Sequence, residues 1–293
     1  MHIHILSPAG AIAPEYIDRS RQLLERRGYS VSESAHARGR YGRFSATAED
    51  RLRDLREALD RPDTDYILCA RGGYGLQQIV GDLPLRPEQK IPVFIGFSDI
   101  TILHQWAGLC GRASLHGLMC KHLSELDEQS DPIRYWFDAI EGKPLHYMLP
   151  AHPLNRPGEC KGRLIGGNLS VLYGLQATPW ALDALLKDKP ILWLEDIAER
   201  HYHIDRMMQN LRLSGVLSRL GGLVVGQWAD CQDDPSMNCT VLQTIRQAVD
   251  EYDYPVLMNF PAGHIDYNLP LWLHQPTEIR VDANGATLRQ EGI

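Results

Sequence analysis

The first half of this chain alternates between two kinds of segment, and that alternation limits the folds open to it. Strand-like runs stand at 2–6 ("HIHIL"), 30–34 ("SVSES"), 66–70 ("YILCA") and 93–95 ("VFI"). Helical patterns fall between them. Residues 14–27 turn Ile17 and Leu24 inward and stop at Gly28, while 46–59 set Leu52, Leu55 and Leu59 on one face with charges opposite. Strands separated by helices pair in parallel, because the crossover helix returns the chain to the same end of the sheet. Such sheets bind ligands outside the carboxyl ends of their strands, so the loops that follow strands are where function is sought.

The pattern changes after "LPAHPLNRPGE" (149–159), which is rich in proline and carries neither periodicity. That stretch is expected to be a linker between an N-terminal domain over 1–148 and a C-terminal domain over 160–293. Two domains suit a chain of 293 residues. The second half predicts strands at 190–194, 223–227 and 256–258 and helices over 203–213 and 240–250. A β-hairpin is expected over 277–290, turning at "DANG". The class is therefore α/β, with a parallel-sheet domain followed by one of mixed α/β structure.

Charge and composition exclude several functions. Thirty basic and 37 acidic residues give a net charge of −7, without the basic footprint that nucleic-acid phosphates or an acidic membrane surface would need. No apolar run approaches the ~18 residues of a membrane span. The opening "MHIHILSPAG" lacks the charged and apolar regions of a signal peptide. A cytoplasmic protein is expected. The six cysteines form no C-x-x-C pair and are expected to be reduced and mostly buried. No H-E-x-x-H occurs, and "HYH" (201–203) lacks further ligands, so neither metal nor cofactor is expected.

Three loops carry residue types that do chemistry. "ARGGYG" (70–75) follows a strand, and its adjacent glycines expose backbone N–H groups that suit an anion, an oxyanion or a simple tight turn. It matches neither phosphate-loop nor dinucleotide fingerprints. "GFSDI" (96–100) reads as strand, turn, helix. Ser98 is either a nucleophile raised on the turn or, like Asp99, a helix cap. Ile100 replaces the second glycine of the α/β-hydrolase elbow. A serine nucleophile needs a base and an acid that orients it. The second half offers Glu195 and Asp196 just past a strand, and His264 in the loop of "NFPAGHIDYNLPL" (259–271).

In order, "SPAG" (7–10), "ARGGYG" (70–75), "IGFSDIT" (95–101), "LIGGNLSVL" (164–172), "LEDI" (194–197), "YHIDRMMQNL" (202–211) and "PAGHIDYNLPL" (261–271) resemble the LD-carboxypeptidases, the serine peptidases that trim muropeptides. The resemblance implies a Rossmann-like N-terminal domain, a C-terminal domain of mixed α/β structure and an active site in the cleft between them. It implies a triad of Ser98 as nucleophile, Glu195 as acid and His264 as base. The backbone N–H of Asp99, with one from Gly72 or Gly73, would stabilise the oxyanion. Arg71 and Asn168 are candidates for substrate binding, although Asn168 could equally cap its own helix. The implied substrate is a muropeptide that loses its C-terminal D-alanine, and the implied assembly is a homodimer. Leu118 departs from the His-Gly-Pro found in many members. A microcin-immunity branch cleaves aminoacyl-nucleotides and tends to be longer near the site; the absence of an obvious insertion favours the peptidoglycan branch. The rival of another class is a nucleotide- or sugar-binding module that leaves Ser98 as a cap.

Overall fold

A computed structural model describes residues 1–87 and 89–293. The strands are β1 (His2–Leu6), β2 (Ser30–Glu33), β3 (Tyr66–Cys69), β4 (Val93–Gly96), β5 (Ser114–His116), β6 (Leu145–Pro150), β7 (Gly158–Asn168), β8 (Ile191–Ile197), β9 (Gly222–Ala229), β10 (Val256–Leu257), β11 (Leu271–Leu273), β12 (Pro276–Asp282) and β13 (Gly285–Gln290). The helices are α1 (Pro14–Arg26), α2 (Ala48–Asp60), α3 (Thr101–Leu109), α4 (Cys120–Glu125), α5 (Asp131–Ile140), α6 (Leu169–Gly174), α7 (His201–Leu213) and α8 (Val241–Gln247). They form two compact units. One comprises Met1–Trp136 with Leu269–Leu271, and the other Phe137–Asn268 with Trp272–Ile293.

The first unit is built on parallel strands in the order β2-β1-β3-β4-β5, with β11 added beyond β5. In this order the connection reverses direction between β1 and β3. The loops after those two strands lie at the switch point, the usual ligand position in such sheets. Those loops are "SPAG" and "ARGGYG". α1 starts on Pro14, whose missing N–H costs nothing at a first helical position, and buries Ile17, Ser20, Leu23 and Leu24. α2 is capped by Thr47, which accepts the Asp50 N–H at 3.1 Å. Its inward face differs from expectation. Leu55 and Leu59 are buried as predicted, but Arg51, Asp54 and Ala58 complete the stripe and Leu52 sits at the margin.

The second unit holds a seven-stranded sheet, β10-β9-β8-β7-β12-β13-β6. β7 joins two kinds of pairing. Residues 158–163 run antiparallel to β12, and 164–168 run parallel to β8. Burial follows: β12 alternates, while residues 191–196 of β8 are buried without interruption. The hairpin at "DANG" is β12–β13, with Asp282 opposite Gly285.

The expected linker at 149–159 is not a boundary. It connects β6 to β7 inside the second unit, and the division between units falls at 136/137, within α5. The stretch is irregular because it packs on a strand edge. Arg156 and Val256 exchange backbone hydrogen bonds at 3.0 and 3.1 Å, and the Asn155 side chain accepts the Met258 N–H at 2.9 Å. Proline and missing periodicity look alike in both situations. The cysteines are all free; Cys69, Cys110 and Cys120 are buried and the other three partly so. Among the described residues, no helix is long and apolar enough to cross a membrane.

Candidate active site

In the first unit, β4 ends at Gly96 and the chain turns through Phe97 into a 3₁₀ turn at Ser98–Ile100, then α3. Ser98 has φ 67°. A β-carbon is unfavourable in this left-handed region, costing of order 1–3 kcal/mol, and such strain persists where the surroundings fix it. The N-cap positions of the 3₁₀ turn and of α3 fall on Phe97 and Ile100, so Ser98 does not occupy the cap position. Asp99 does not cap either. Its buried carboxylate accepts the Leu76 N–H at 2.9 Å, tying the turn to the chain just beyond "ARGGYG".

The glycines of that loop have a steric reason. A β-carbon on Gly72 would lie 2.7 Å from Ser98 Cβ and 2.9 Å from the Phe97 carbonyl oxygen, so only glycine lets the loop lie against the serine. The Gly72 carbonyl accepts the Gly10 N–H at 2.9 Å, joining the loops that follow β1 and β3. Arg71 is exposed, and one arm of its guanidinium donates to the Ala11 carbonyl at 2.7 Å. Sequence reasoning missed Arg51. It is 1 % exposed and donates to the carbonyls of Pro8 and Gly75, each at 2.9 Å, and to Gln78 Oε1 at 2.7 Å. The available signal was its spacing: residues 51, 54, 55, 58 and 59 form one helical stripe.

In the second unit, Glu195 and Asp196 lie within β8 and not past it. The β8–β9 register slips there: Leu194 faces Val225, but Asp196 faces Trp228. The extra residue on β9 is a bulge, a device that re-aims side chains. Fully buried, Glu195 places Oε2 2.7 Å from His264 Nδ1. Because a carboxylate only accepts, Nδ1 carries the proton in the neutral imidazole. Burial pulls the imidazole toward the neutral form, but the hydrogen bond and charge of Glu195, with Asp196 behind, outweigh it and hold His264 above its ordinary value.

The His264 loop is fastened to β9. Phe260 N–H donates to Val225 at 2.9 Å, and Gln227 N–H donates to Ala262 at 3.0 Å. The Asn268 side chain accepts the Gly263 N–H at 2.9 Å. Gly263 has φ 131°, and a β-carbon there would lie 3.0 Å from Glu195 Oε2. Asp196 faces away from this pair. It accepts from Asn168 Nδ2 at 2.8 Å, Ser170 N–H at 2.7 Å and Ile197 N–H at 2.9 Å. Burial and the Glu195 charge still push it up to about 7. Asn168 caps α6 by accepting the Val171 N–H at 3.1 Å, so of its two expected roles the structure displays the cap. His201 contacts Thr244 Oγ1 at 2.7 Å, and His203 lies 3.2 Å from Glu199.

Residues 3–117 match the LD-carboxypeptidase N-terminal domain, and residues 161–279 match the C-terminal domain. The chain belongs to the LD-carboxypeptidase family. The murein tetrapeptide carboxypeptidase of Pseudomonas aeruginosa is 30% identical over 89% of this chain and 87% of its own length. The muramoyltetrapeptide carboxypeptidase of Oxalobacter formigenes superposes with a TM-score of 0.89 at 25% identity, covering 99% of both chains. The microcin C7 self immunity protein MccF, in complex with aspartyl sulfamoyl adenosine, shares the fold, with a TM-score of 0.82 at 18% identity over 99% of this chain and 96% of that one. Ser98, in "GFSD", lies within the first matched range, and Glu195, in "LEDI", and His264, in "PAGH", lie within the second.

Proposed function

We propose that this LD-carboxypeptidase is a serine hydrolase that releases C-terminal D-alanine from murein tetrapeptides. The observation that carries the reading is the 2.7 Å hydrogen bond between Glu195 and His264, which keeps the proton of the neutral imidazole on Nδ1 and so assigns the base role to Nε2. Ser98, strained at φ 67° beside Gly72, supplies a matching nucleophile.

In this mechanism His264 Nε2 takes the Ser98 proton as Oγ attacks the carbonyl on the L-configured centre of the diamino acid. The N–H of Asp99 and one from Gly72 or Gly73 receive the oxyanion, each such donor contributing roughly 3 kcal/mol to lowering the barrier. The imidazolium returns the proton to the leaving amine and D-alanine departs. Water, deprotonated by the same imidazole, then cleaves the acyl-enzyme. Glu195 holds the tautomer and stabilises the imidazolium throughout. Arg71 and the nearby glycine N–H groups bind the terminal carboxylate. The protein works as a cytoplasmic homodimer on peptides recovered from the wall.

Mass spectrometry of a murein tetrapeptide incubated with the protein tests this reading. Loss of one alanine residue is expected with wild type and not with Ser98→Ala, which should stay folded. An intact tetrapeptide, or unchanged turnover by Ser98→Ala, would sink it.

A further inference from the structure

The peptide between Gly75 and Leu76 is held on both sides by buried charge. Arg51 donates to the Gly75 carbonyl at 2.9 Å, and Asp99 accepts the Leu76 N–H at 2.9 Å. The Gly75 N–H also bears on Asp99. Both side chains are buried, Arg51 at 1 % and Asp99 at 3 % exposure. Arg51 reaches further, to the Pro8 carbonyl of "SPAG" and to Gln78, and its guanidinium stacks 4.9 Å over the Phe44 ring. One planar cation thus joins the loop after β1 to the loop after β3. Asp99 joins that second loop to the turn after β4.

Placing two charges in a low-dielectric interior is expensive, and apolar residues would give a cheaper core. This pair fixes position. Asp99 is bonded covalently to Ser98, so anchoring its carboxylate holds the strained serine in the left-handed region. Gly72, at the near end of the anchored loop, lies against Ser98 Cβ. The distance between the serine and the glycine N–H groups is set by the same two charges. Burial pushes the Asp99 carboxyl up, while the Leu76 N–H and the Arg51 charge pull it back.

We propose that Arg51 and Asp99 are positioning residues for the hydrolysis, holding the glycine loop and the Ser98 turn at the spacing the oxyanion requires. This inference rests on Ser98 being the nucleophile. Neither side chain touches the substrate. Their effect should therefore fall on the transition state, lowering kcat and sparing KM.

The test uses Asp99→Asn and Arg51→Lys in the full chain, with active sites counted by a fluorophosphonate. Asn keeps the shape and can still accept the Leu76 N–H, but it removes the charge. Lys keeps the charge but cannot fork to Pro8, Gly75 and Gln78 together. Each should lower kcat per titrated site by about 10- to 100-fold, the scale of a small misplacement of reacting groups, with KM within about threefold. The double variant should lose less than the product of the single losses, because the two act through one peptide. A purely structural role would reduce Tm and the number of titratable sites but leave kcat per site alone. That outcome in either variant overturns the proposal, as does unfolding of both. Ser98→Ala separates the failures. If it stays active, the serine reading falls and takes this one with it. If it is inert while both variants keep full kcat per site, only the positioning role is lost.

Discussion

His264 sits under two opposing pulls. Burial favours neutral imidazole and the Glu195 carboxylate favours imidazolium, and the carboxylate prevails. The acidic limb of kcat/KM should lie above the ordinary histidine value of about 6.5, because the base works only when neutral. Glu195→Gln leaves burial opposed only by the more distant Asp196. NMR should show the His264 titration above 6.5 in wild type and below it in this variant. A titration that does not move would separate Glu195 from the base. The same substitution should cost at least ~10² in kcat/KM. Asp196→Asn should keep most activity, since its partners are Asn168, Ser170 and Ile197 and not His264. Its effect should appear in stability against pH. The Asp196 carboxyl is raised to about 7 in the fold, so between about 4 and 7 the folded state retains a proton that the unfolded chain has shed. That linkage makes stability fall as pH rises through the window, then level off. Thermal melts from pH 4 to 8 should show this component in wild type and lack it in Asp196→Asn. Identical profiles would refute it.

At the scale of elements, the site depends on turns that only particular residues can make. Gly72→Ala would press a β-carbon against Ser98 Cβ and the Phe97 carbonyl, two groups with little freedom to retreat. The loop must then back away from the serine, and kcat should fall by about 10²-fold while the melting curve shifts little. Unchanged kcat would mean that this contact is not part of the machinery. The sequence disclosed the strand, turn and helix around Ser98 because parallel strands buried on both faces read as apolar runs ending at a glycine. It disclosed less about β8, where the run ends visually at Leu194 but pairing continues through Glu195 and Asp196 across a bulge. A bulge is a property of two strands and leaves no mark on either alone. Arg51 and the Asp99 carboxylate escaped for a related reason. The partners that matter here, the Gly75 carbonyl and the Leu76 N–H, are backbone groups 24 and 23 residues away, and backbone has no sequence signature. The stretch at 149–159 was misjudged because its order comes from β10, about a hundred residues later.

For the whole molecule, the proposed chemistry assigns every step to side chains and backbone N–H groups. Exhaustive chelation should therefore leave kcat unchanged; a loss restored by added zinc would overturn the serine assignment. The units are not simple halves of the chain. The first takes Met1–Trp136 and then Leu269–Leu271, only a few residues beyond His264. Synthesis runs from the amino end, so the sheet that carries the nucleophile must wait for its last strand, β11, until nearly all of the second unit has been made. A fragment ending at 136 would carry Ser98 on a sheet still missing an edge. The ability to cleave a peptide bond is thus tied to the late stages of the protein's own translation.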